Sequence, residues 1–301
     1  MAIIVGVSVG SDGAVWCVDS AGNAYMRVGS EWKKNPTAKA DEVAVGNVSN
    51  VWCRNSAGEV FKLQGSDFSA TWAKDAQASQ VTSISAGADG TVWVTNSKGQ
   101  MAYLQGGQWH HVPDVNTAVE VAVGSAAHIW YRDNKGLIYK KDGSGKWQKD
   151  NTASDVISLS AGNDGTVWVA NSKHELWTMS GGVWKKNDKG TARQISVGKQ
   201  GLAWVVNAAG EIYHVQAADW PTYWVKVALP KDMPASTQYT IKQGDTVTGI
   251  IRAKYPTIST AELRQKSDTV ARLNGWPGTM DDNYGGRAKS LKPGDVIVLE
   301  A

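Results

Sequence analysis

The sequence is poor in several residues that drive common protein chemistries. Its 301 residues include two cysteines, two phenylalanines and five histidines, and the formal net charge is +3. Two thiols, Cys17 and Cys53, cannot make a disulfide framework. They fill the same slot of neighbouring repeats, each directly after a Trp, so free, half-buried thiols are expected. No stretch reaches the roughly 18 apolar residues that span a bilayer, which argues against transmembrane insertion. Charge is spread evenly: residues 1–230 hold 21 Lys/Arg against 20 Asp/Glu, and residues 231–301 hold 10 against 8. Without a basic stripe, nucleic acid is excluded as a partner. His110 and His111 are adjacent on a strand pattern and point to opposite faces, and no carboxylate or Cys clusters with them, so no metal site is expected. No Ser-His-Asp order and no pair of catalytic carboxylates stands out, so the reading is a binding protein without catalytic residues or cofactor. The opening Met1–Gly10 has no preceding basic residues and no small-residue cleavage site, and its end recurs downstream. It reads as a first strand, which places the protein in the cytoplasm or in a non-classical release route, acting at a cell envelope.

What the sequence has in excess is tryptophan, 15 residues, of which twelve fall in two registers. The first is Trp16, Trp52, Trp93, Trp130, Trp168 and Trp204, each six residues after a glycine (Gly10, Gly46, Gly87, Gly124, Gly162, Gly198). Two residues before that glycine stands Ser or Ala: Ser8, Ala44, Ser85, Ala122, Ser160, Ser196. Three after the Trp comes Asp19, Asn55, Asn96, Asp133, Asn171 or Asn207. Six after it lies Gly22, Gly58, Gly99, Gly136 or Gly210, with His174 as the exception. Nine after it an aromatic occurs in five copies: Tyr25, Phe61, Tyr139, Trp177, Tyr213. The second register closes each unit with Trp32, Trp72, Trp109, Trp147, Trp184 and Trp224.

Each slot has a physical role. Val-x-Val and Val-Trp-x-Val are short β-branched strands. Asx-x-x-Gly between them is turn chemistry, with the Asx side chain bonding backbone two residues on and Gly accepting positive φ. His174 in a glycine slot predicts mild strain or a different loop. Ser or Ala suits a crowded innermost strand. Four strands in about 37 residues make one propeller blade, with indoles filling the gaps between blades. The expected fold is all-β, a six-bladed β-propeller of four-stranded antiparallel blades over residues 1–227.

The unit lacks the Trp-Asp of WD repeats, and its Asp12-Gly13, Asp89-Gly90 and Asp164-Gly165 lack the spacer of the sialidase Asp box. It resembles the tectonin repeat: Val-Ser-Val-Gly, then Val-Trp, then an Asx-x-x-Gly turn, then an apolar-aromatic strand, over about residues 5–227. That resemblance implies a lectin for surface glycans, in some members methylated sugars or bacterial lipopolysaccharide, and no catalysis. The residues for such a role lie in the closing register, where a basic side chain follows the Trp by two: Trp32 and Lys34, Trp72 and Lys74, Trp109 and His111, Trp147 and Lys149, Trp184 and Lys186, Trp224 and Lys226. An indole plane suits the C–H face of a sugar, and polar donors suit its hydroxyls. The same pattern is also satisfied by inter-blade core with Lys stems packed across it. The first Trp register, the Asx residues and the three loop aspartates read as construction. Several weak sites on one ring would multiply affinity on a dense surface. The alternative is a protein-interaction scaffold or adaptor, for example in an envelope-associated or injection-type assembly.

After Val227 the repeat stops. Residues 228–238, with Pro230 and Pro234, read as a linker. Residues 239–301 read as a small α+β domain of order βααβ, with helices near 246–254 and, from a Ser259–Glu262 capping box, to about Arg272. Tyr239-Thr-Ile-Lys-Gln-Gly-Asp-Thr, Leu273-Asn274 and Lys292-Pro-Gly-Asp-Val-Ile resemble the lysin motif (LysM). The resemblance implies binding of peptidoglycan or chitin amino-sugar chains through Gly244, Asp245, Thr246, Val247 and the loop from Asn274. The region departs from the motif in its length, in an insertion near 275–290 containing Trp276, and in Val247-Thr248-Gly249.

Overall fold

The computed structural model describes residues 2–180, 182–198, 202–215, 224–233, 237–274, 292–293 and 296–300. Six antiparallel four-stranded sheets follow one another, each made of four consecutive strands. In blade 1 these are Ile4–Val9, Val15–Asp19, Ala24–Val28 and Glu31–Lys34. The first strands of the six blades, from Ile4–Val9 and Glu42–Asn47 round to Gln194–Val197, pack successively on one another and back to the first. They form the inner ring, and the closing Trp strands lie outermost.

Within a blade, the Asx turn forms as its chemistry dictates. Asp19 Oδ1 accepts from Ala21 N at 3.0 Å and Asn23 N at 2.8 Å. The same pair of bonds recurs at Asn55, Asn96, Asp133, Asn171 and Asn207. The glycine slot is left-handed throughout, from φ 72° at Gly58 to 79° at Gly22, and His174 keeps the turn by adopting φ 64°. A side chain there is strained. His174→Gly is therefore expected to raise stability by about 0.5–1 kcal/mol, the relief of strain being partly offset by a looser unfolded chain. Urea unfolding of the two proteins would show it, and an unchanged or lower midpoint would contradict it.

Between blades, the two Trp registers meet. Trp16 of blade 1 and Trp72 of blade 2 form an edge-to-face pair at 5.8 Å and 72°. Trp52 pairs likewise with Trp109 at 6.5 Å, Trp93 with Trp147 at 6.1 Å and Trp168 with Trp224 at 5.9 Å. Trp130 and Trp184 share one core cluster. At the last junction Arg27 lies between Trp32 and Trp204, 5.9 and 5.1 Å from their ring centres. The first register is buried except for half-buried Trp204, as a construction role requires. Cys17 and Cys53 are free but fully buried rather than half-buried, and burial pushes both thiols up, Cys53 to about 12.

The Ser/Ala slot does more than relieve crowding. Ser8 Oγ accepts from Val45 N of the next blade at 2.9 Å, Ser85 from Val123 N at 2.9 Å and Ser160 from Val197 N at 2.9 Å. Ser196 accepts from Val9 N at 3.0 Å, which carries the same clasp across the closing junction. Gln194 adds a two-way bond to the backbone of Val7, and Arg193 donates to Ile4 O. The ring thus closes without exchanging a strand. The loop aspartates act the same way: besides its own turn, Asp12 accepts from Val48 N at 2.7 Å, and Asp89 from Ala126 N at 2.8 Å.

Residues 228–233 stay on the propeller. Ala228 O accepts from Trp32 Nε1 at 2.7 Å, and Met233 is buried in the blade 1–blade 6 cluster. Further along, the described elements are strand Thr237–Thr240, helix α1 (Val247–Lys254), helix α2 (Thr260–Leu273) and strand Val296–Glu300, which pairs with the first. The Ser259–Glu262 capping box forms, with Ser259 N donating to Glu262 Oε2 at 3.0 Å and Glu262 N to Ser259 Oγ at 3.3 Å.

Candidate functional site

All six closing indoles are half-buried, and the basic residue two positions on is exposed in every blade. Trp and basic residue share one face of the outermost strand. The edge-to-face pairs show that these indoles also build the blade junctions, so inter-blade packing and surface presentation fall on the same residues.

The basic heads differ from blade to blade. In blades 2, 5 and 6 the Lys is paired: Lys74 with Glu59, Lys186 with Glu175 at 2.8 Å, Lys226 with Glu211. Hydrogen bonds from the lysines hold these glutamates below the usual carboxylate range, Glu211 at about 2. Opposite each basic residue, across the strand pair, stands the ninth-position aromatic: Tyr25 opposite Lys34, Phe61 opposite Lys74, Tyr139 opposite Lys149, Trp177 opposite Lys186, Tyr213 opposite Lys226. The indole nitrogens are mostly engaged. Trp72 Nε1 donates to Asn35 Oδ1 at 3.3 Å, Trp184 to Asp150 Oδ2 at 3.0 Å and Trp224 to Asn187 Oδ1 at 3.3 Å, besides the Trp32 bond.

Blade 3 departs from this scheme. Its ninth-position residue is Ala102, opposite His111, and the buried Nε1 of Trp109 has no partner among the described residues. A cavity of about 140 Å³ opens there, with Trp109, His111, Ala102, Gln100, Asn96 and Met101 in its wall. His110, on the other face, stacks on Tyr103 at 5.3 Å.

A second space, about 1270 Å³, is lined by residues of all six innermost strands. It holds ion pairs in blades 2 and 4, Arg54 with Glu42 and Arg132 with Glu120, each at 2.7 Å, and Asp41 also lies 3.9 Å from Arg54. Burial raises the Glu42 carboxyl against the pull of Arg54. Glu120 also accepts from Leu159 N of the next blade at 3.1 Å, so these groups brace the ring. These pairs were missed in the sequence. Their signal was there: Glu two before the small-residue slot and Arg two after the Trp occur together in copies 2 and 4.

The residues of the lysin-motif resemblance are engaged locally. Asp245 Oδ2 accepts from Lys242 N at 2.7 Å, Thr246 caps α1 by accepting from Gly249 N, and Gly244 has φ 86°. Val247 is buried, and Asn274 Nδ2 donates to Val270 O at 2.7 Å. Trp276 and the rest of the inserted loop lie outside the described residues. Among the described residues no group of three or more His, Cys, Asp or Glu is placed to hold a metal, and no helix is long and apolar enough to cross a membrane.

Six contiguous four-stranded blades around an inner ring define a six-bladed β-propeller. The sequence matches the family described as Tectonin domain over residues 4–78 and 155–241, more than half of its length, and the chain belongs to that family. Among solved structures it is similar to the Pan2 WD40 domain of Neurospora crassa, at 13% identity and a TM-score of 0.52, over 76% of this chain and 80% of that one. It is also similar to YCF48 from Cyanidioschyzon merolae, at 11% identity and a TM-score of 0.48, over 71% of this chain and 95% of that one. At such identities the first likeness speaks for the fold alone. No curated protein matches the sequence.

Proposed function

We propose that this protein is a non-catalytic carbohydrate-binding protein that recognises microbial cell-surface glycans through the propeller, with a lysin-motif-like C-terminal region for amino-sugar polymers of the peptidoglycan or chitin type. The observation that carries the reading is the half-buried indole beside an exposed basic or imidazole side chain at every blade junction. It supplies an apolar surface and polar hydrogen-bonding groups side by side, on a chain of the tectonin family. Repetition round one ring suits a dense ligand, since sites engaged together gain effective concentration. The three lysines held by glutamates keep fewer donors free than Lys34 and Lys149, so the junctions are expected to contribute unequally.

The test is a glycan array with the full chain at several printing densities, together with co-sedimentation on insoluble peptidoglycan and chitin. Binding to microbial envelope glycans that steepens with density is expected. Silence on every glycan would overturn the lectin reading and leave the scaffold reading, in which the propeller rim docks a protein. Failure to sediment with either polymer would remove the amino-sugar role of the C-terminal region.

A further inference from the structure

Three departures from the repeat coincide at the junction of blades 2 and 3. The aromatic slot holds Ala102 where the other five blades carry Tyr, Phe or Trp. The basic slot holds His111 where the others carry Lys. The position that supplies Glu59, Glu175 and Glu211 in blades 2, 5 and 6 is Gln100 here. One consequence is steric: without a ring at 102, the space opposite His111 is empty, and the 140 Å³ cavity occupies it. The other is electronic: the lysine–carboxylate pair of blades 2, 5 and 6 is here an imidazole and an amide, and among the described residues no Lys, Arg, Asp or Glu lines the cavity.

Trp109 supplies the independent observation. Its indole still packs edge-to-face on Trp52, but its buried N–H donates to none of the described residues, whereas Trp32, Trp72, Trp184 and Trp224 all donate to an oxygen. Asp75, the residue of blade 2 corresponding to Asn35, makes the same turn bonds as Asn35, its Oδ1 accepting from Gln77 N and Ala78 N at 2.9 Å each, yet takes no bond from Trp109. A buried donor without an acceptor is a cost that an incoming oxygen removes. Gln100 Oε1 is taken by Asn96 Nδ2 at 3.0 Å, which leaves the Gln100 amide hydrogens for a further acceptor. Buried Val81 and Val94, in the same core cluster as the indole, provide an apolar wall beside it, and exposed His111 stands at the mouth.

We infer that this junction is a pocket for one uncharged sugar ring, whose hydroxyl oxygen accepts from Trp109 Nε1–H while its C–H face lies on the Val81 and Val94 side. The inference rests on the carbohydrate reading above and narrows it, making this junction the principal site of the propeller and the other five subsidiary. The size admits part of one ring entering from an open mouth: 140 Å³ equals the share of about five liquid waters, less than a whole hexose fills and far below the roughly 300 Å³ at which pockets for larger ligands begin. The absence of fixed charge selects against sialic or uronic acids and against aminated sugars with a free ammonium group.

Saturation-transfer NMR on the full chain, with glucose, galactose, mannose, fucose and N-acetylglucosamine as separate probes, tests it. At least one of these should bind, with titration giving one site per chain. Ala102→Tyr restores the residue type found in blades 1, 4 and 6 and should fill the pocket, weakening that sugar at least tenfold without lowering the melting temperature. Trp109→Phe keeps a six-membered ring against Trp52 and removes the N–H together with the pyrrole part of the indole, and should weaken binding at least roughly five- to tenfold. It decides the matter should the first variant fold poorly. Undiminished binding by both variants would overturn the pocket while leaving the carbohydrate reading intact. No binding of any probe to the unmodified chain would overturn the pocket, and only a silent glycan array as well would remove the broader reading.

Discussion

Trp16→Ala is expected to cost about 3–5 kcal/mol of stability. Trp16 is 1% exposed. It packs in one cluster with Val43, Val45, Val51 and Leu63 of the next blade and takes the edge of Trp72. Removing it deletes one of the largest side chains and also strands Trp72, losing the roughly 0.5–1.5 kcal/mol an aromatic pair adds beyond its burial. Strands cannot slide to fill the hole, because Ser8 pins Val45 N on the same junction. Urea unfolding followed by far-ultraviolet circular dichroism would measure the loss, and a change under 1 kcal/mol would show that the junction relaxes. Lys34→Ala, on an exposed head at the rim, is the matched control and should change stability by less than about 0.5 kcal/mol.

Gly124→Ala is expected to be comparably damaging for a different reason. A Cβ built at Gly124 would stand 2.0 Å from Gly162 O and 2.3 Å from Gly162 C. Both obstacles are backbone of the neighbouring blade, one residue past its innermost strand, so no rotamer change relieves them. Overpacking of side chains costs about 1–3 kcal/mol, and a clash between main chains in a closed ring should reach or exceed the top of that range. Gly46 faces Gly87 O at the same 2.0 Å, so the ring repeats this close approach. Gly6→Ala is the informative contrast. Nothing lies within 4 Å of its Cβ position, so the change should be neutral or slightly stabilising. Soluble yield and urea midpoint of the two variants would separate the cases. Equal behaviour would refute the close-packed ring.

The features read correctly from the sequence are those written within one blade. Strand alternation, the Asx turn and its left-handed glycine slot are all set by residues a few positions apart, and even the strained exception at His174 was legible. What the sequence left open lies between blades. Ser8 looked merely small, yet its hydroxyl serves a backbone amide 37 residues away. The closing Trp register admitted core or site as readings because nothing local says which face meets the next blade. Ala102 was visible as a gap in a pattern, but its meaning needed Trp109 and His111 placed around it. The Glu–Arg braces of blades 2 and 4 were hidden for the same reason, since their value comes from the neighbouring blade's amides and not from their own strand.

The closing junction has a mechanical consequence. Because each blade is complete in itself, no shared sheet spans the gap between blade 6 and blade 1. The gap is held by side-chain bonds from Arg193, Gln194 and Ser196, by the Trp32–Arg27–Trp204 sandwich, and by the 228–233 segment laid across it. Tension applied between residue 2 and residue 237 is therefore borne first by the overlying segment and then by that seam, before any β-ladder is loaded. A protein anchored at one end and gripping a surface with its ring would yield there, with the blades themselves still folded.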